Sequence, residues 1–188
     1  MMNVKPSPVG IDISVQRFQK FLYPALLKVW GITNDNDYES YGRAHKNQTA
    51  DGYIPEGFKG TDPKKIEYKD AFWDDNKKAV SFFLLGDVTK YDSGNAMAPV
   101  GLIFMVNVQS LKPTISYRAD EEVRNDVERL CQIERYGFAL TEIVTGIDQV
   151  FREFSGWRKA QGIKFRDMHP LHCFRLNFQV LYDINECY

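Results

Sequence analysis

The chain has 188 residues, a formal net charge of −1, 44% hydrophobic residues and 26% charged ones. That balance excludes wholesale disorder, and the length suffices for one domain with its own core, with or without an elaborated loop. No apolar run reaches the roughly 20 residues of a bilayer span, and 24 Lys+Arg against 25 Asp+Glu give no global electrostatic case for a nucleic-acid binder.

Residues 11–31 read as a first helix. Asp12 or Ser14 is placed to cap it, and Val15, Phe18, Phe21, Leu22, Leu26 and Val29 recur at helical spacing before a terminating Gly31. Pro24 inside the pattern predicts a kink or a break into two helices. Residues 32–78 have no sustained period. They mix charges of both signs with glycines, two prolines and seven aromatics: Tyr38, Tyr41, Tyr53, Phe58, Tyr68, Phe72 and Trp73. A disordered segment would be poor in aromatics, and long structureless loops are uncommon in compact domains. The stretch therefore reads either as an extended arm that orders against a neighbouring subunit, with those seven aromatics as interface candidates, or as an insertion folded onto its own domain.

Ala79–Gly86 and Val100–Gln109 are apolar, strand-length and rich in β-branched and aromatic residues. Asp92-Ser93-Gly94-Asn95 supplies turn chemistry between them, so they form an antiparallel hairpin with a long polar tip and both faces covered. After Lys112-Pro113, Asp120 caps a helix that carries Glu121 and Glu122 at its positive end and Val123, Val127, Leu130 and Cys131 on its buried stripe. Residues 138–144 fit a short strand or a helix. Thr145 caps the next segment, with Ile147, Val150, Phe151 and Phe154 on one face as far as Gly156. Leu171–Tyr182 alternates cleanly: Phe174, Leu176, Phe178, Val180 and Tyr182 make an apolar face, and His172, Cys173, Arg175, Asn177 and Gln179 mostly flank it. The sum is a single α+β domain over residues 1–188: a small antiparallel sheet, hairpin plus C-terminal strand, with helices on one face and 32–78 as arm or insertion.

Signatures of chemistry are sparse. The glycine-rich dinucleotide loop, the phosphate-binding loop and the serine-hydrolase elbow are missing. His169-Pro170-Leu171-His172-Cys173 offers zinc-type ligands, but it lacks a partner pair, and His172 and Cys173 should face opposite sides of a strand. Asp74-Asp75 falls in a polar loop and Glu121-Glu122 at a helix start, where capping explains the acids better than acid–base pairing does. Cys131 lies on a buried stripe. The sequence therefore assigns no catalytic residue, metal or cofactor. The basic run Arg152, Arg158, Lys159, Lys164 and Arg166, interleaved with Trp157 and Phe165, reads first as a solvated face and second as a surface that meets DNA. Three widely spaced cysteines, Cys131, Cys173 and Cys187, read as reduced thiols of a protein made in a cytosol, and the first residues carry no secretory h-region.

Three strings, Tyr117–Val123, Thr145–Phe151 and Pro170–Tyr182, together with the α-β-β-α-β order, resemble phage neck and tail-completion proteins of the tail-terminator type. The pattern is most similar to ring proteins of the portal–tail assembly in crAss-like phages. It covers about two-thirds of the chain and leaves out 32–78, which is long for a compact tail terminator. The resemblance implies a virion structural protein without a catalytic site, made in the host bacterial cytoplasm. It implies a homo-oligomeric ring, of twelve copies or alternatively six, stacked on the portal or on adjacent neck and tail rings. Non-specific contact with DNA in the channel and no membrane association belong to the same expectation. The competing readings are a small cytosolic α+β enzyme using the His169–Cys173 region and a nucleic-acid-binding module using 152–166.

Overall fold

A computed structural model of the chain describes residues 1–60, 67–87, 89–92, 94–157 and 167–184. Helix α1 (Ile11–Val29) leads through a 3-10 turn into strands β1 (Tyr38–Thr49), β2 (Gly52–Phe58) and β3 (Tyr68–Asp70). Strands β4 (Ala79–Leu85), β5 (Lys90–Asp92) and β6 (Asn95–Asn107) follow. Then come the short α2 (Val108–Leu111), α3 (Asp120–Cys131), β7 (Phe138–Thr145), the one-turn α4 (Ile147–Val150) and β8 (Leu171–Asp183). The eight strands form one mixed, mostly antiparallel sheet in the order β3-β2-β1-β4-β6-β8-β7, with β5 paired to β6 at the tip. The fold is therefore α+β as read, but the sheet is much larger than a hairpin plus one strand.

The enlargement comes from residues 32–78. Strand β1 runs parallel to β4, Tyr38 opposite Ala79 and Ala44 opposite Leu84, and carries β2 and β3 outward behind it. The described parts of this stretch, 32–60 and 67–78, place β1, β2 and β3 in the sheet of their own chain. The register shift between Ser40 and Arg43 in β1, and Pro55 with two glycines in β2, break the alternation that would have marked these strands.

Side-chain alternation then builds two cores. Facing one way, Phe83, Leu102, Phe104, Phe174, Leu176 and Phe178 pack under α1 (Phe18, Leu22, Leu26) and α3 (Val123, Val127, Cys131). Phe18 stacks on Phe138 at 4.4 Å and meets Phe178 edge-on at 5.6 Å. Facing the other way, Phe82, Leu84, Ile103, Met105 and Cys173 pack under Ala71, Trp73 and the Val150–Trp157 segment. The hairpin is covered on both faces, as its continuous apolarity required. Helices on one face alone holds for α1 and α3; α4 and the turns after it lie across the other face.

Local expectations divide in an instructive way. Pro24 sits within a single α1, and Gly31 adopts a left-handed φ of 62° just past the helix end. The caps differ from the reading. Gly10 and Ala119 hold the N-cap positions without side-chain bonds, while Asp12 and Asp120 lie in the first turns. There Asp12 pairs with Lys5 at 2.6 Å and with Arg43 at 3.4 Å, using its charge across elements rather than on its own helix. The ambiguous 138–144 stretch is β7. A bulge between Leu140 and Glu142 brings Phe138, Leu140 and Ile143 to one face, and that two-then-three spacing is what imitates a helix. The helix read over 145–156 shrinks to four residues, with Gly146, not Thr145, before it at φ 85°. Among the described residues no helix is long and apolar enough to cross a membrane.

Strands β6 and β8 outrun their neighbours. Strand β4 pairs with β6 only over Val100–Val106, and the ladder of β7 on β8 stops at Val180. Beyond those points β5, β6 and β8 form a three-stranded tongue. Tyr91 (71% exposed), Leu181 (54%), Ile184 and Met97 are open to solvent there.

Candidate functional site

Among the described residues the second face of the sheet is only partly covered. Where the apolar core under Trp157 ends, the outward residues of β8 turn polar (Arg175, Asn177, Gln179), and a groove of about 430 Å³ opens over them. Lys46 of β1, Pro99 of β6, Glu142 of β7, and Arg152 and Glu153 after α4 complete its walls. The alternation that makes one face of β8 apolar therefore supplies the groove floor with its hydrogen-bonding groups.

Arg175 is the centre of this arrangement. Its side chain is almost fully buried; Nη1 donates to Glu153 Oε2 at 2.7 Å and Nε to Asn177 Oδ1 at 2.6 Å. Asn177 in turn donates to Glu142 Oε2 at 2.9 Å, and Arg152 Nε donates to the other oxygen of Glu153 at 3.1 Å. Lys46 meets Asp87 at 2.8 Å at the rim. Burial pushes the Glu153 carboxyl up, but the hydrogen bond and charge of Arg175, helped by Arg152, outweigh it and hold the pKa below the ordinary glutamate value. Among the described residues each cation of the groove faces a carboxylate, so together they present a neutralised hydrogen-bonding surface.

The basic segment contributes Arg152 to this groove. Arg158, Lys159, Lys164 and Arg166 lie outside the described residues, as do Phe165 and Cys187.

The seven aromatics of 32–78 separate by burial. Tyr38, Tyr41, Phe58 and Trp73 are core residues of their own chain, and Phe72 is half-buried against Trp157 at 5.3 Å. Tyr53 and Tyr68 are exposed. As interface anchors, only the last two are available at the surface. Tyr38, Tyr41, Phe72 and Trp73 are drawn into the domain because β1 and residues 71–73 border the two cores, and Phe58 at the end of β2 is buried beside Tyr68.

A second polar cluster lies at the start of β8. His172 is buried, with Nδ1 2.8 Å from Asp167 Oδ1 and 3.6 Å from Asp120 Oδ2. Arg118 bridges the same two carboxylates, and the backbone N–H of Cys173 also points at Asp167. Burial pushes Asp167 up, yet the hydrogen bond and charge of His172 hold its pKa below the aspartate norm. Neighbouring Cys173 points into the opposite core, as alternation demands, while His169 is exposed. Among the described residues no group of three or more His, Cys, Asp or Glu is arranged to hold a metal ion. The other carboxylates stay in local networks: Asp75 accepts from Trp73 Nε1, Asp74 from the Asn76 amide, Glu122 from Tyr117, and Glu121 pairs with Arg124. Burial raises the Cys131 thiol to about 12.

Sequence reasoning missed Arg175–Glu153 and Asp167–His172 as pairs. Arg175 carried a signal, since an arginine sat in the middle of a strand whose neighbours were otherwise buried or uncharged; Glu153 and Asp167 carried none.

No protein-family model and no curated protein sequence matches the chain.

Proposed function

We propose that the chain is a virion structural protein, a subunit of an oligomeric ring in a phage neck or tail that joins the portal vertex to the tail around the DNA passage. The observation that carries this reading is the tongue. Tyr91, Met97, Leu181 and Ile184 are exposed on a three-stranded projection beyond the body of the sheet, where a self-sufficient monomer gains nothing from them. Tyrosine and methionine, here Tyr91 and Met97, are among the side chains enriched at subunit contacts. The resemblance supplies the rest. Its strings fall on the start of α3, on the β7–α4 junction and along β8, and the first and third meet where Asp120 approaches His172. Neutralised charges in the groove suit packing between like subunits better than an open DNA-binding face.

Native mass spectrometry of the purified chain, followed by electron microscopy of the assembled species, tests the reading. A closed ring is expected. A monomer at all concentrations, with and without portal and tail components, rejects it.

A further inference from the structure

Strand β7 ends the sheet path, and among the described residues its outer edge makes only one bridge, at its very start, where the Phe138 N–H donates to the Arg135 carbonyl at 2.9 Å. Soluble proteins guard such edges with lysine, proline, brevity or inward charges. The opposite edge obeys that rule: β3 is three residues long and carries Lys69 and Asp70. Strand β7 does not. It is eight residues long, Phe-Ala-Leu-Thr-Glu-Ile-Val-Thr, and apolar toward both faces, with Leu140 and Ile143 on one side and Ala139 and Val144 on the other, all half-buried. Its one acid, Glu142, is held back toward β8 by Asn177. Ile133 (62% exposed) and Tyr136 extend the apolar margin just before it. This is the composition of an interior strand at an edge position.

We infer that β7 receives an extended strand from a neighbouring copy of this chain, so that the sheet continues across the subunit contact. The inference rests on the ring reading above, which requires a contact between copies. The edge itself fixes its chemistry: a row of backbone N–H and C=O groups is satisfied by another backbone in strand conformation, and apolar side chains on both faces favour β-branched or aromatic neighbours. A contact in which β7 receives and a different surface donates is heterologous, the kind that closes into rings.

The test installs on full-length chain the guard that the edge lacks. Val144→Lys and, separately, Thr145→Lys (an exposed position) are followed by native mass spectrometry and thermal melting. The expected result is loss of the ring to monomer at an unchanged melting temperature in Thr145→Lys, with the same dissociation in Val144→Lys. A photoreactive maleimide attached at Thr141→Cys, in a Cys187→Ser background, should then join β7 to a strand of the next copy. If the wild-type chain is itself monomeric, the ring reading falls and this inference with it. If the ring persists in both lysine variants, or the crosslink lands within the same copy, the ring stands and β7 is not its contact.

Discussion

A Cβ at position 101 would lie 2.5 Å from Nε of Arg175, so the guanidinium on β8 rests against the bare backbone of β6. The absence of a side chain at Gly101 creates the space in which Arg175 reaches both Glu153 and Asn177. Gly101→Ala should therefore overpack the groove floor and lower stability by about 1–3 kcal/mol. In an Arg175→Met background the same alanine should cost measurably less, because the two changes share one volume. Urea denaturation of the four proteins measures the coupling. Equal costs in both backgrounds would mean that Arg175 does not occupy that space.

The acid limb of stability should report the two buried carboxylate pairs. Glu153 and Asp167 both have native pKa values held below their ordinary values. Their contribution is thus fully present above the unfolded pKa values, near pH 4–5, and lost as pH falls through the lower native ones. Urea midpoints should drop steadily from about pH 5 downward. The drop should shrink in Glu153→Gln and Asp167→Asn, each of which removes one linked proton. Unchanged pH profiles in both variants would remove the linkage.

Folding and assembly should be separable by mutation. Phe138 is fully buried among Phe18, Phe83 and Phe178, so Phe138→Ala should cost about 3–5 kcal/mol. Tyr91→Ala on the tongue should leave the melting temperature within a degree or so of the parent, since exposed substitutions stay within about 0.5 kcal/mol, and should weaken the assembled species in a dilution series. A Tyr91→Ala chain that assembles as tightly as the parent would take the tongue out of the contact.

Thiol chemistry offers a compact check on the two cores. Burial raises the thiols of Cys131 and Cys173, and each is closed off beneath a different face of the sheet. A Cys187→Ser chain should show no reactive thiol at pH 8 while folded and two after denaturation. Fast labelling of either cysteine in the folded chain would show that its core opens.

The sequence was most readable where burial is one-dimensional. The alternation of β8 and the stripe of α1 each follow from a single period, the hairpin from unbroken apolarity, and the structure has them within a few residues. It was least readable where a second chain segment decides the outcome. Tyr38 and Tyr41 look like loop aromatics until β1 is seen alongside β4, a pairing some forty residues away in sequence (Tyr38 opposite Ala79). A single bulge residue hid β7 by changing its spacing. The groove shows the same limit. Arg175 reads only as one of several polar residues flanking the apolar face of the last strand, its partner Glu153 lies in a turn with no pattern of its own, and Gly101 looks like any other strand glycine until the guanidinium is placed above it.

The position of β8 has a consequence for synthesis. It leaves the ribosome after the seven other strands of this sheet, yet it lies between β6 and β7 and hydrogen-bonds to both. Until it emerges, the apolar run Val100–Val106 has one open side and β7 has no partner, so the sheet cannot close before β8 has left the ribosome. Non-local closure of this kind is slow, and the waiting strands are prone to pair with other nascent chains. Expression at low temperature, or with a holding chaperone present, should raise the soluble yield more than any change to the surface of the finished protein.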